Sequence, residues 1–301
     1  MADSKNESDV WGEEDVTSAK NMGDENFPVG SLLIAPACRP VIHAYYRFAR
    51  VADDMVDNAR LSSEQKKGRL LALREVLLGN RIAPMRADAQ TAVRLRSEML
   101  ERNLPLSLAS DLITAFVMDA EKNRYQSWGE LLDYCRYSAN PVGRFLLAVH
   151  REGDETSGPS DALCTALQIV NHLQDVQDDL CKLDRCYLPL PWLEEEHVTV
   201  DDLRLARSKP GVRRVFDRVL AGVDELNHMA RRLPSLIRDR RMRLEAAVIV
   251  NLCAQLTDHL HVHDPIEHRV ALGRKDGIKA LLRALAYLPS PKPHPSFMKV
   301  K

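Results

Sequence analysis

Apolar residues recur at spacings of three and four along most of this 301-residue chain. The segment from Pro40 to Asn58 shows the pattern through Val41, Tyr45, Phe48, Val51 and Met55. The same period predicts further helices over roughly 63–79, 87–103, 106–123, 128–153, 160–183, 210–236, 240–262 and 276–287. Because alternating strand patterns are nearly absent, the sequence predicts an all-α fold.

The chain divides into one long folded region and two polar ends. Residues 1–22 have few apolar anchors and predict a flexible leader, and the proline-rich residues 291–301 predict an extended tail. No linker rich in Pro, Gly or Ser divides residues 23–290, which therefore predict a single domain. Its 45% hydrophobic content is ordinary for a chain with a folded core.

Charge and cysteine usage exclude several classes of protein. Lys and Arg total 42 against 43 for Asp and Glu, so the chain as a whole has no attraction for nucleic acid. The sequence contains no run of about 18 uncharged apolar residues, so it predicts no spanning helix. Its acidic N-terminus does not resemble a secretory signal. The six scattered cysteines are typical of reduced thiols rather than a zinc site, which favours a cytoplasmic protein.

A first acidic cluster interrupts the helix predicted at 40–58. Residues four apart share a helix face, so Asp53 and Asp57 point the same way, with Asp54 beside them. A solvated face could hold these like charges at small cost, so this cluster alone does not distinguish a surface helix from a functional site.

A second cluster makes a functional site the better interpretation. Asn171, Asp175 and Asp179 follow one another at four-residue steps on a helix whose flanks are apolar. Buried carboxylates are costly unless a cation compensates them, and Mg²⁺ prefers such oxygen ligands while leaving room for phosphate oxygens. His172 lies out of phase with these acids and is expected to pack or hydrogen-bond rather than bind metal.

Two arginines could supply fixed positive charge for a phosphate group. Arg50 precedes the first cluster by about one turn, and Arg185 follows the second. The guanidinium fork matches phosphate oxygens, although a lone arginine is more often a solvated surface residue.

Four sequence blocks, in order, resemble the squalene and phytoene synthase family of all-α isoprenoid synthases. YYRFARVADDMVD is similar to the family pattern Y-x-F-x-R-x-x-D-D-x-x-D, and MDAEKNRY to D-x-x-x-x-R-Y. DYCRYSANPVG follows the Y-C-x-x-x-A-x-x-V-G spacing, and NHLQDVQDDLCKLDRCYLP resembles N-x-x-x-D-V-x-E-D followed by G-R-x-Y-L-P. Asp178 stands where Glu is common, and Asp184 where the family usually has Gly.

Details of these blocks resemble the bacterial hydroxysqualene synthases of hopanoid pathways. They are the entry motif ENFPV (Glu25 to Val29), the segment SANPVGR (Ser138 to Arg144) and Gln174 before Asp175. The resemblance implies a helical domain with a central cavity, and a reaction in which presqualene diphosphate loses diphosphate with Mg²⁺ assistance. Rearrangement of the cation and capture of water would then give hydroxysqualene.

The resemblance also implies individual roles. Catalytic roles fall to Asp53, Asp54, Asp57, Asp175, Asp179 and Tyr46. Metal ligands are expected at Asp53, Asp57, Asn171, Asp175 and Asp179. Substrate contacts are expected from Ser31, Phe48, Arg50, Tyr134, Asn140, Gly143, Asn171, Gln174, Arg185 and Tyr187. For the aromatic residues, simple core packing is the main alternative.

Two other functions stay open at this point. One is head-to-head condensation of farnesyl or geranylgeranyl diphosphate to presqualene diphosphate or phytoene. The other is a non-catalytic helical interaction protein, against which the five intact carboxylates argue. The resemblance further allows for pathway enzymes as partners.

A last feature concerns the membrane. In DGIKALLRALAYLP, an apolar face formed by Ile278, Leu281, Leu282, Leu285 and Leu288 runs beside Lys275, Lys279 and Arg283. This pattern predicts either a helix packed on the core, the more usual case, or an interfacial helix in peripheral membrane contact.

Overall fold

Four helices make up most of the described part of the N-terminal half. A computed structural model describes residues 10–12, 15 and 35–288. After a 3-10 turn at Pro36–Cys38, the helices are α1 (Arg39–Asp57), α2 (Ser63–Leu78), α3 (Ala87–Glu101) and α4 (Ser107–Glu121). Helix α2 begins with a capping box between Ser62 and Gln65 and ends at Gly79, whose positive φ of 82° suits glycine.

The C-terminal half adds nine helices among the described residues. They are α5 (Trp128–Ser138), α6 (Asn140–Val149), α7 (Ser157–Gln174), α8 (Val176–Leu183), α9 (Leu190–Glu195), α10 (Pro210–Ala230), α11 (Leu233–Leu236), α12 (Arg240–Val262) and α13 (Arg274–Ala284). Three 3-10 turns complete this half, at Asp154–Thr156, Val200–Arg204 and Leu285–Tyr287. The prediction of an all-α fold is therefore confirmed.

Two apolar clusters form the core. One lies within α1 to α4 and includes Phe145 of α6, whose ring stacks on Tyr45 with centroids 3.9 Å apart. The other surrounds α7, which packs against α10, α6, α5 and α12. The two acidic clusters of the sequence thus start from different halves of the core, α1 in one and α7 in the other.

Two very short strands tie the chain together beside the second acidic cluster. Strand β1 (Arg124–Tyr125) pairs in parallel with β2 (Cys186–Pro189). Between them, Asp184 adopts a left-handed conformation with φ of 53°, and its carboxylate accepts from the Arg124 guanidinium at 2.7 Å. This turn explains why glycine is usual at the position, since only glycine adopts positive φ without steric cost.

Three predicted helices are each split in two. The helix predicted at 210–236 divides into α10, which ends at Ala230, and α11, which begins at Leu233. The prediction of one helix at 128–153 is wrong at Ala139, because Pro141 has no backbone N–H to donate and lies in the first turn of α6, which begins at Asn140. The helix predicted at 160–183 is interrupted at Asp175, but the four-residue hydrogen-bond spacing from Asn171 to Asp175 to Asp179 is kept. The backbone nitrogen of Asp175 donates to Asn171 at 2.9 Å, and that of Asp179 donates to Asp175 at 2.8 Å.

The flexible leader over residues 1–22 stays a prediction, although residues 10–12 and 15 are described and contact the folded domain. Trp11 is 2% exposed and belongs to the N-terminal core cluster. Asp15 accepts hydrogen bonds from the backbone nitrogens of Ala87 and Asp88 at 2.8 and 3.1 Å, capping the start of α3. The remainder of the leader and the tail lie outside the described residues.

Candidate active site

The first acidic cluster lies on the last turns of α1 and is partly neutralised within the helix. Arg50 contacts Asp53 at 2.9 Å and Asp54 at 3.7 Å, one helical turn away. The Oδ2 atom of Asp54 is shielded from solvent and accepts no hydrogen bond. The predicted proximity of Arg50 to the first cluster is therefore present, and one carboxylate oxygen is left with unused capacity to accept.

The second acidic cluster also carries positive partners. Asp175 pairs with Arg269 at 2.7 Å, and the Asp179 carboxylate lies 3.6 Å from the His172 ring nitrogen. His172 stacks on Tyr187 with ring centroids 3.5 Å apart, as the prediction of a packed histidine required. Asp178 instead faces solvent and pairs with Lys182.

Arg185 connects the two clusters. It follows the left-handed turn at Asp184, and its guanidinium donates to Asp57 at 2.9 Å while staying 9% exposed. Burial alone would lower the pKa of Arg185, but the negative charges of Asp119 and Asp57 outweigh it and raise that pKa. The arginine is thus a fixed cation held between the end of α1 and the strand β2.

Asp119 is the centre of a hydrogen-bond network at the same place. It accepts from the Tyr134 hydroxyl at 2.8 Å and from the Tyr187 hydroxyl at 3.1 Å. Protein surrounds Asp119 on most sides, although part of its surface remains open, and this burial raises the pKa of its carboxyl. Arg185 and the two phenols act in the opposite direction by stabilising the charged form.

A small pocket with a cavity volume of about 10 Å³, room for about one water molecule, opens beside Arg185. Its lining combines four polar side chains with a larger number of apolar ones. The lining residues are Leu131, Ile169, His172, Leu173, Val176, Asp179, Arg185, Cys186, Tyr187, Leu188 and Val219. The lining sets a cation beside apolar side chains, the two kinds of surface that bind an anionic head and a hydrocarbon tail, and the pocket would have to open to admit such an amphiphile.

Several predicted substrate contacts lie deep in the packing. Phe48 is fully buried in the N-terminal core cluster. Asn140 accepts from the Thr165 hydroxyl at 2.9 Å, and Gly143 lies where a methyl group would come within 2.5 Å of the Ser160 hydroxyl. These contacts join α6 to α7, and a substrate role for the three residues stays a prediction.

The remaining predicted residues are distributed as follows. Gln174 is buried and donates to the Val270 carbonyl at 2.5 Å, while its own carbonyl oxygen has no hydrogen-bond partner. Tyr46 on α1 and Asn171 on α7 are half-buried near their acidic clusters. Ser31 lies outside the described residues, so its predicted substrate contact is not located.

Two residues of the site were absent from the predicted set. Asp119 stands in the MDAEKNRY block, but its hydrogen bond with Tyr134 is evident only from the structure. Arg269 is 94 positions from its partner Asp175, and no spacing rule relates two residues that far apart.

The family is decided by comparison with known sequences. A sequence profile described as squalene/phytoene synthase matches residues 21–276, which span both acidic clusters and Arg185. The chain belongs to the squalene/phytoene synthase family. It is accordingly an enzyme of the isoprenoid synthase type, and the alternative of a non-catalytic helical protein is rejected.

Relatives and solved structures agree with this assignment. The hydroxysqualene synthase of Rhodopseudomonas palustris is 42% identical over 86% of this chain and 87% of its own length. That of Sinorhizobium fredii is 40% identical over 83% and 84%. A squalene synthase structure from Alicyclobacillus acidocaldarius has a TM-score of 0.66 and 32% identity, covering 79% of this chain and 88% of that one. A dehydrosqualene synthase structure at 18% identity, with a TM-score of 0.70 over 88% and 92% of the two chains, supports the fold.

Family membership also bears on the substrate. The family acts on prenyl diphosphates, which is the class of substrate that the sequence predicted. Among the described helices, none is long and apolar enough to cross a membrane.

Proposed function

We propose that this protein converts presqualene diphosphate and water into hydroxysqualene and diphosphate. The observation that supports the proposal most is the position of Arg185, which donates to Asp57 of the first cluster and lines a largely apolar pocket with Asp179 of the second. The hydroxysqualene synthases at 42% and 40% identity support this reaction over others in the family.

The donor set fits Mg²⁺ as a partial site. Mg²⁺ prefers carboxylate and amide oxygens, which Asp53, Asp57, Asn171, Asp175 and Asp179 offer, and the shielded Oδ2 atom of Asp54 adds unused acceptor capacity. No group of three or more acidic, His or Cys side chains among the described residues is close enough to enclose a metal. The ion would therefore need oxygens from the substrate diphosphate to complete its coordination.

This incomplete donor set has a measurable consequence. We expect Mg²⁺ alone to bind weakly and to bind more tightly when inorganic diphosphate is added, since the diphosphate supplies ligands. Calorimetric titration of the purified protein with Mg²⁺, with and without diphosphate, measures the difference. Tight Mg²⁺ binding that diphosphate leaves unchanged would contradict this proposal.

Fixed positive charge on the protein would hold the diphosphate. Arg50 and Arg185 each present a planar guanidinium fork that matches phosphate oxygens. When bound, Mg²⁺ neutralises charge that develops on the leaving diphosphate. Because Arg50 and Arg185 already contact Asp53 and Asp57, we propose that substrate exchanges these ion pairs for contacts with phosphate.

The reaction breaks the carbon–oxygen bond of the substrate, and the diphosphate leaves with the electron pair. The remaining carbocation rearranges, a water oxygen bonds to carbon, and the added water loses one proton to give the alcohol. Burial raises the pKa of Tyr134, so the residue stays neutral and its aromatic face would be able to stabilise a cation. Tyr187 has a raised pKa for the same reason and lines the pocket.

Peripheral membrane contact is part of the same proposal. Substrate and product each carry a C30 hydrocarbon, which partitions into a bilayer rather than water. The enzyme must therefore exchange both molecules with lipid at its surface.

Product analysis tests the reaction. Purified protein is incubated with Mg²⁺ and either presqualene diphosphate or farnesyl diphosphate, without a nicotinamide, and the extracted lipids are identified by mass spectrometry. Hydroxysqualene from presqualene diphosphate supports the proposal. Consumption of farnesyl diphosphate alone would instead establish the alternative of head-to-head condensation.

A further inference from the structure

Helix α13 and the 3-10 turn that follows it expose large apolar side chains to solvent. Leu282 is 64% exposed and Ile278 is 60% exposed, although residues of this type are usually buried. Three further leucines on the same side are between 43% and 47% exposed: Leu281, Leu285 and Leu288. We call these five residues the outer apolar face.

The opposite side of α13 is made of small residues. Ala280 and Ala284 are fully buried against α12, which lets the two helices approach closely. The Gln255 amide donates to the Asp276 backbone carbonyl at 3.3 Å, and His259 lies 3.6 Å from the Asp276 carboxylate. The helix is therefore fixed by its small side, the reverse of the usual surface helix whose large apolar residues pack inward.

Positive charge borders the outer apolar face. Lys275, Lys279 and Arg283 follow at four-residue steps, so they form one stripe along the helix, and all three are exposed. The helix has one acidic residue, Asp276, and its carboxylate caps the first turn by accepting from the Gly273 backbone nitrogen at 2.8 Å. An apolar face with a cationic edge matches the interface of an anionic bilayer.

This surface begins next to the active site. Arg269 pairs with Asp175, and the carbonyl of Val270 accepts from Gln174, so the loop before α13 rests on the second acidic cluster. Five residues lead from Arg269 to Arg274, the first residue of α13, and five extended residues span at most about 18 Å.

From these observations we infer that residues 274–288 form an interfacial docking surface for an anionic lipid bilayer. The outer apolar face enters the region between headgroups and acyl chains, and the cationic stripe contacts anionic headgroups. The site would thereby face the bilayer from which a prenyl substrate comes. Vesicle binding is measured without substrate, so its outcome is independent of whether the proposed reaction is correct.

Co-sedimentation of the full chain with vesicles tests this inference. One vesicle set contains equal parts of phosphatidylglycerol and phosphatidylcholine, and the other contains phosphatidylcholine alone. We expect binding to the anionic set, and a loss of about tenfold or more in a variant carrying both Ile278→Ser and Leu282→Ser. A variant carrying Lys279→Glu and Arg283→Glu should lose binding to a similar extent.

A matched control changes two apolar residues elsewhere on the surface. Ile82 and Met85 are 89% and 96% exposed, so Ile82→Ser with Met85→Ser removes comparable apolar area and should leave vesicle binding unchanged. Thermal unfolding followed by circular dichroism establishes that each variant is folded.

Three results would overturn the inference. The first is a wild-type protein that ignores both vesicle sets, and the second is equal binding by the α13 variants and the control. The third comes from sedimentation velocity: if the wild type dimerises and the variant with Ile278→Ser and Leu282→Ser is a monomer, the face joins two copies of this chain instead.

Discussion

The Arg185 guanidinium donates to the Asp57 carboxylate at 2.9 Å, although the two residues are 128 positions apart. This ion pair connects the end of α1 with the strand that follows α8. Arg185 also lines one largely apolar pocket together with Asp179 of the second cluster, and a prenyl diphosphate would place its charged head beside this arginine.

Replacement of Arg185 by lysine tests that relationship. Lysine keeps the charge but lacks the planar fork, so we expect Arg185→Lys to lower kcat/KM by about 10²- to 10³-fold. Arg207→Lys is the matched control, because Arg207 is 73% exposed and pairs with Glu267 on the surface. Steady-state kinetics on both variants measure the effect. Near-normal activity of Arg185→Lys would show that the guanidinium of Arg185 is not required for the reaction.

The proposed metal-directed carboxylates can be neutralised one at a time. We expect Asp53→Asn or Asp175→Asn to reduce turnover by orders of magnitude, since each removes a charge directed at the proposed metal. Both carboxylates are in partly exposed ion pairs with arginine, so the free energy of unfolding should change by less than about 1 kcal/mol. Asp201→Asn, at an 89% exposed position, should retain full activity.

Kinetics at saturating Mg²⁺ and urea unfolding give the two readouts. If either variant kept normal turnover under these conditions, the assignment of that carboxylate would be wrong.

The fold class and the positions of both acidic clusters could be predicted from sequence, because helical periodicity and four-residue spacing are local properties. The break at Ala139 could also have been predicted from Pro141, because proline disrupts a helix interior. The roles of Asp119 and Arg269 could not be predicted this way. Their partners are brought together by the pairing of β1 with β2 and by the loop before α13.

The leader shows a different limit. Few apolar residues occur before residue 22, yet Trp11 is buried and Asp15 caps α3. One large aromatic side chain can anchor a segment whose average composition is polar, and composition alone does not reveal where it will insert.

Asp119 gives a prediction about pH. Burial raises the pKa of its carboxyl, so the folded protein holds this proton more tightly than the unfolded chain does. The stability that results is present below the unfolded pKa of about 3.9 and is lost as the pH rises through the folded value. Asp119→Asn lacks this titration, so its unfolding free energy should rise relative to wild type as the pH is raised above about 4.

Urea unfolding of both proteins across this pH range measures the difference, with Asp201→Asn as the reference for an exposed carboxylate. An unfolding free energy of Asp119→Asn that falls relative to wild type as the pH is raised would contradict the direction of the shift. Because Asp119 holds the Tyr134 and Tyr187 hydroxyls, kcat should also fall in the variant.

Gly143 gives a prediction about packing. A methyl group there would lie 2.5 Å from the Ser160 hydroxyl and 2.6 Å from the Cys164 sulfur, so α6 and α7 would have to separate. We expect Gly143→Ala to destabilise the protein by about 1–3 kcal/mol. Gly158→Ala is the control, since no atom lies within 4 Å of an added methyl group, and it should be neutral or stabilising by less than about 1 kcal/mol.

Chemical denaturation of the two glycine variants provides the comparison. Equal unfolding free energies would show that the helices tolerate the added carbon and that close approach is not what requires glycine at this position.

The source of the product oxygen tests the proposed reaction most directly. Purified enzyme is incubated with presqualene diphosphate and Mg²⁺ in water enriched in a heavy oxygen isotope, and the masses of both products are measured by mass spectrometry. Carbon–oxygen cleavage followed by water capture predicts heavy oxygen in hydroxysqualene and none in the released diphosphate. An unlabelled, unrearranged alcohol with heavy oxygen in the released diphosphate would mean that a phosphorus–oxygen bond breaks instead, and would contradict the proposed mechanism.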